Sequence, residues 1–249
     1  MRFASLFQAW PDCAFADMTF RSDAATLAHL ATLYPLPDKL HSAVLKRQVE
    51  FLAGRVCAQQ ALARLTGRPP ALIPAREDRA PAWPASIVGA ITHTAGYAAA
   101  LVAPGSAYDG IGIDCEQVMA PEQLPLQRHI CVPYELDSLQ EQPGAWPPEA
   151  LLSLIFSAKE SLFKGLYPRV QTYFGFHAAR VTAVDFARQT FIIQLVDDLH
   201  PAWRTGASWE GRFGRQDRFL MTAIVVPQER PNFLACDRPG TSPCQKPRP

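Results

Sequence analysis

A long helical stretch followed by a series of short β-prone runs occurs twice along this chain, and that order dictates its architecture. From Asp38 to Leu65 the sequence reads as one helix, with Leu45, Val49, Leu52 and Val56 recurring on one stripe and Gly67, Pro69 and Pro70 ending it. A proline-rich connector leads to β-prone runs at Ile87 to Thr92, Tyr97 to Val102 and Tyr108 to Cys115. The last two are separated by Pro104-Gly105-Ser106, which predicts a hairpin turn. The second helix spans Pro147 to Tyr167, with its prolines at the N-terminal edge, where the missing N–H is tolerated. It is followed by runs at Ala178 to Phe186, Thr190 to Val196, Ala207 to Phe213 and Phe219 to Val226. The predicted class is α+β, with two similar halves, each a long helix packed on a small antiparallel sheet. The halves are placed at 1–119 and 120–227, and the Pro-rich, polar stretch 228–249 is expected to be a mobile tail.

At 249 residues and 48% apolar content the chain can fill a core of its own. Its 24 basic and 23 acidic residues nearly cancel. There is thus no global positive field of the kind that sequence-independent nucleic-acid binding requires, and any anion must be held by a local site. The opening MRFASLFQAWPDCAFADM is too short and too interrupted for a signal peptide or a membrane span, so a cytoplasmic protein is expected. Cys13, Cys57, Cys115, Cys131, Cys236 and Cys244 lie far apart with no C-x-x-C, which predicts mostly free thiols and no zinc site.

Three segments carry candidate chemistry. In GIGIDCE (residues 110 to 116) strand alternation puts Ile111, Ile113 and Cys115 on one face and Asp114 with Glu116 on the other. Two carboxylates side by side favour a cation between them, and hard oxygens suit Mg²⁺; the bland alternative is an acidic solvent face. In FSAKESLFK (156 to 164) Glu160 and Lys164 share a helix face, as a surface ion pair would. The largely apolar rest of that helix gives the pair a need for a partner. His93 lies between Thr92 and Thr94 at the end of a β-prone run, where a lone histidine is more often structural.

In this order the segments resemble the signature of the 4'-phosphopantetheinyl transferases, in the larger type that activates siderophore and peptide synthetases. The matching residues are Ile91-Thr92-His93-Thr94, then Gly112-Ile113-Asp114-Cys115-Glu116, then Phe156-Ser157-Ala158-Lys159-Glu160-Ser161-Leu162-Phe163-Lys164. Cys115 stands where an aliphatic residue is usual and should act as a small apolar group. The resemblance extends to EFLAGR at 50 to 55, AREDRAPAWP at 75 to 84 and GFHAARV at 175 to 181.

It implies an enzyme that moves the 4'-phosphopantetheine arm of coenzyme A to a serine of an apo acyl or peptidyl carrier protein, releasing 3',5'-ADP. Asp114, Glu116 and Glu160 are the implied Mg²⁺ ligands. Glu160 is the implied general base, directly or through water, and Lys164 steadies the leaving phosphate. Lys159 is a further phosphate contact, and Glu135 a candidate for base or metal duty. Thr92 and His93 would touch the phosphates of coenzyme A, His93 more strongly if protonated. Arg47, Arg55, Arg76 and Arg79 are candidates for its 3'-phosphate and diphosphate. A cleft between the halves and a monomer follow. The carrier protein served stays open, as do two rival readings: a metal-dependent nuclease, against which the neutral charge counts, and a non-catalytic module.

Overall fold

The computed structural model describes residues 3–228, so the tail, with Cys236 and Cys244, lies outside the described residues apart from Gln228. Four layers stack in the order helix, sheet, sheet, helix. Strands β1 (Ala14–Thr19), β2 (Ile87–Thr94) and β3 (Tyr97–Pro104) form an antiparallel sheet in the order β1-β3-β2. Strands β4 (Tyr108–Gln117), β5 (Ala179–Asp185), β6 (Thr190–Leu195), β7 (Ser208–Gln216) and β8 (Phe219–Pro227) form a second, in the order β4-β8-β7-β6-β5.

Helix α1 (Ala24–Leu33) is capped by Asp23, whose carboxylate accepts from the Thr26 amide at 2.8 Å. Helix α2 (Leu45–Thr66) ends on Gly67 at φ 66°, a left-handed conformation that glycine adopts without strain. The short helices α3 (Gln127–Ile130) and α4 (Glu135–Gln140) precede α5 (Pro148–Val170).

Alternation along the strands assigns each face to a layer. On β3, Ala98, Ala100 and Val102 pack under α2 with Val49, Leu52 and Val56. Tyr97, Ala99, Leu101 and Ala103 point the other way and meet Ile111, Ile113 and Cys115 of β4 and Met221, Ala223 and Val225 of β8. The reverse face of the second sheet, with Leu220, Ile224 and Phe213, packs on Leu154, Ala158, Leu162 and Leu166 of α5. Fully burying one such side chain contributes about 1.5–3 kcal/mol, so these interlayer clusters dominate the stability of the fold.

Several expectations change. The helix predicted from Asp38 starts at Leu45, because Gln48 donates to the carbonyls of Leu40, His41 and Ala43 and folds the preceding segment back. Leu45, at the helix edge, is consequently exposed. The turn at Pro104-Gly105-Ser106 forms no hairpin: β3 stays in the first sheet while β4 crosses to pair with β8, and the true hairpin is β2–β3 through Gly96, at φ 85°. β4 thus belongs by pairing to the sheet built from the later part of the chain. Strand β1 and helix α1 lie in the opening region, where no element was expected. The second helix, expected to end at Tyr167, carries Pro168 inside its last turn, runs on to Val170 and is closed by Gln171 at φ 52°.

Candidate active site

β4 reaches α5 more closely than side chains normally allow. A Cβ on Gly110 would lie 1.9 Å from the Gly165 carbonyl oxygen, and one on Gly112 only 1.7 Å from that of Ser161. The glycines of GIGIDCE are therefore a packing requirement, and their close approach lays Asp114, two residues on, against the helix face that carries Lys164. Lys164 Nζ donates to Asp114 Oδ1 at 2.7 Å and to the Ile113 carbonyl at 3.1 Å, so it pairs across to β4 rather than along the helix with Glu160.

Thr92 ties β2 to β4. Its hydroxyl accepts from the Cys115 amide at 2.9 Å and donates to Asp114 Oδ1 at 3.3 Å. With its hydroxyl engaged on both strands, Thr92 positions Asp114. Asp114 Oδ2, by contrast, is buried without a hydrogen-bond partner.

Glu116 sits on the same face, near the Thr94 hydroxyl at 3.5 Å. Burial, then the charge of Asp114, push its carboxyl up to about 7, with Glu160 adding and Lys164 and Thr94 opposing. Burial likewise raises Glu160, which is relieved by Lys164 and raised again by Asp114. On Lys164, burial works against the ammonium, yet Asp114, Glu160 and Glu116 together outweigh it and the net shift is upward. Three carboxylates thus crowd one lysine.

Among the described residues, no three His, Cys, Asp or Glu side chains are gathered tightly enough to cage a metal ion on their own. Mg²⁺ does not require such a cage, because it takes several of its oxygens from substrate phosphates and water. An orphaned carboxylate oxygen beside two charge-strained carboxylates is the right donor set for such an ion.

Beside this cluster, and sharing Lys164 with it, lies a cleft of about 920 Å³ lined by Arg47, Arg55, Arg76, Arg79, His93 and Lys164, with Trp83, Phe163, Tyr167 and Tyr173 on its apolar walls. Arg55 is buried, stacks over Phe51 at 5.1 Å and spends Nη1 on the carbonyls of Ile73 and Pro74, bracing the segment that carries Arg76 and Arg79. Arg76 forms a two-pronged pair with Asp78, at 2.7 and 3.3 Å. The Asp78 carboxyl is held below its ordinary value by Arg76 first, with Tyr167 of α5 the least of the groups that act on it. Burial first, then Arg47 and Lys164, push His93 down to about 4, so the ring is neutral near pH 7 and offers no ionic hydrogen bond.

Glu135 and Lys159 belong elsewhere. Lys159 Nζ is 2.6 Å from Glu135 Oε2 and 2.8 Å from the Ile130 carbonyl, and Glu135 also accepts from the amides of Val132 and Val181. Both side chains are buried, and they pin α5 to α3, α4 and β5, away from the Asp114 cluster. Asp78, Tyr167 and Glu50 were not singled out from the sequence. Only Glu50 left a trace there, as the first residue of the family-like segment EFLAGR.

A cleft walled by arginines and joined through Lys164 to a carboxylate cluster is the arrangement of a protein that grips a polyanionic ligand. This chain belongs to the 4'-phosphopantetheinyl transferase superfamily: the model of that description matches residues 110–222, and the model of the 4'-phosphopantetheinyl transferase N-terminal domain matches 36–103. It is 34% identical over 209 residues to 4'-phosphopantetheinyl transferase Npt of Nocardia iowensis, covering 77% of this chain and 91% of the relative. It is 32% identical over 230 residues to 4'-phosphopantetheinyl transferase PptT of Mycobacterium tuberculosis, covering 87% and 95%. Enterobactin synthase component D of Salmonella austin is 34% identical over 151 residues, 60% of each chain. The chain is therefore an enzyme that transfers phosphopantetheine from coenzyme A to carrier proteins, and membership decides against the nuclease and the non-catalytic module. No helix among the described residues is long and apolar enough to cross a membrane.

Proposed function

We propose that coenzyme A lies in the arginine-lined cleft with its diphosphate over Asp114, Glu116 and Glu160, and that these carboxylates hold Mg²⁺ there. The observation that carries this reading is the buried, partnerless Asp114 Oδ2 in a cluster whose three carboxylates share one lysine. When bound, the ion supplies charge neutralisation for the diphosphate and for the carboxylates that face it. A serine hydroxyl of the apo carrier protein attacks the β-phosphorus, and 3',5'-ADP leaves. Transfers of this kind need alignment and charge compensation more than covalent help from the protein.

Within that scheme Glu160 takes the serine proton, directly or through water, the relay suiting a carboxylate whose basicity the ion it also holds would weaken. Lys164 stays cationic and steadies the leaving α-phosphate. Arg47 and Arg79 supply contacts to the phosphates, Arg76 joins them on exchanging Asp78 for phosphate, and Arg55 supports them from behind. His93, Asp114 and Glu116 come from 1–119 and Glu160 with Lys164 from 120–227, so one chain completes the site and works as a monomer in the cytoplasm. The neutral charge fits a protein partner rather than nucleic acid. Carrier domains of siderophore, peptide and fatty-acid synthesis are the candidate acceptors.

Intact-mass measurement of several apo carrier proteins incubated with enzyme, coenzyme A and Mg²⁺ tests the scheme. The phosphopantetheine mass should appear, vanish with a chelator and return with excess Mg²⁺. Transfer indifferent to chelation would remove the metal from the reading.

A further inference from the structure

α2 presents Arg47, Glu50 and Gly54 at spacings of three and four, on a single stripe. That stripe runs over β2, for a Cβ on Gly54 would come within 2.8 Å of the Ile91 side chain and 3.9 Å of the His93 ring. Each ring nitrogen of His93 then meets a different side chain of the helix. Nε2 is 3.1 Å from Arg47 Nη1, and Nδ1 is 3.9 Å from Glu50 Oε2. Lys164 of α5 and Asp114 of β4 are the other charged groups acting on the ring.

Chemistry fixes the roles. A guanidinium has donors and no acceptor, so His93 Nε2 is the lone-pair nitrogen, and a neutral ring carries its proton on Nδ1. That N–H faces the mostly buried Glu50 carboxylate across a gap that a small torsional change or one bridging water closes. Arg47 is exposed, and a free arginine has many rotamers to lose when it grips a phosphate. A fixed acceptor beside it removes much of that loss beforehand.

We propose that Glu50 is a positioning residue of the coenzyme A site: it holds His93 as the Nδ1–H tautomer, so that Nε2 accepts from Arg47 and aims the guanidinium into the cleft. Glu50 touches no substrate and acts only through the ring, the usual way a carboxylate decides which imidazole nitrogen is free. The inference rests on the reading that Arg47 serves the phosphates of coenzyme A. Lys46, 3.8 Å from Glu50 and exposed, offers the competing account, a plain helix ion pair.

The full-length protein labelled with ¹⁵N-histidine separates the two. The His93 signals, assigned by their loss in His93→Gln, should show a protonated Nδ1 and a bare Nε2. Glu50→Ala should shift the ring toward the other tautomer, and Glu50→Gln, which keeps an acceptor oxygen, should preserve it. Glu50→Ala should raise KM for coenzyme A about fivefold with kcat nearly unchanged, the size of one lost hydrogen bond. On a His93→Ala background it should add nothing, and Lys46→Ala should leave both readouts alone. Additive effects of the Glu50 and His93 changes, or a tautomer that ignores Glu50, overturn the proposal. If Arg47→Ala leaves KM for coenzyme A unchanged, the phosphate reading of Arg47 fails instead, while the tautomer result stands by itself.

Discussion

Lys159 and Lys164 lie five residues apart on α5, and each meets a carboxylate at short range, 2.6 Å for Glu135 and 2.7 Å for Asp114. Their surroundings differ in charge balance. Around Lys159 there is one carboxylate for one ammonium, and hydrogen bonds from the Val132 and Val181 amides complete Glu135. Burial pulls the Lys159 pKa down, against the opposing pull of Glu135. Around Lys164 three carboxylates compete for one ammonium, the shift is upward, and Asp114 keeps an oxygen without a partner. A balanced, saturated pair holds a fold together, whereas an anionic surplus beside a cleft suits a cation and the ligand that brings it. An ion pair alone does not separate these cases; the satisfaction of its remaining lone pairs does.

The largest effect belongs to the closed side. Glu135→Ala leaves the Lys159 charge and two backbone amides buried without their acceptor and should cost about 3–5 kcal/mol in urea unfolding. The fraction that still folds should transfer normally, and selective loss of turnover in a protein of unchanged stability would break the contrast. On the open side the pattern should invert. Asp114→Ala or Glu160→Ala should lower kcat by roughly 10²–10³-fold, the range seen when one electrostatic contact to a transition state is removed, with little change in the unfolding midpoint. Thr92→Val probes the seam between the two behaviours. It orphans the Cys115 amide and frees Asp114, so about 1–3 kcal/mol of stability should go together with a smaller fall in turnover.

Periodicity made the two long helices and seven of the eight strands legible, because alternation and helical stripes record local burial. Which sheet β4 joins was not legible: pairing with β8 is decided by residues more than a hundred positions away, and the turn at Pro104-Gly105-Ser106 suits a hairpin or a crossing equally well. Spacing paired Asp114 with Glu116 and Glu160 with Lys164; the two pairs meet through glycines whose role as contact points only the packing of β4 on α5 reveals. Lys159 and Glu160 are neighbours in sequence, yet a 100° step around the helix sends one into the core and leaves the other by the cleft. Nothing in the order of letters distinguishes those faces until the partners Ile130 and Glu135 are in place.

The smallest effect tests whether the cleft's charge field reaches His93. Burial, Arg47 and Lys164 hold its pKa near 4, below the usual 6.5, so between those values the unfolded chain binds the proton that the folded ring refuses. By linkage the contribution of His93 to stability is complete above about pH 6.5 and is lost as the pH falls toward 4. Thermal midpoints measured across that window should therefore fall more steeply on acidification for the wild type than for His93→Gln, a difference that isolates this ring from the other five histidines. Coenzyme A should shrink the difference, since its phosphates offset the positive charges of Arg47 and Lys164 that oppose protonation. Parallel curves with and without His93 would mean that the ring is solvated well enough to escape its cationic neighbours, and the cleft would then resemble the closed side of α5, with its charges already balanced before any ligand arrives.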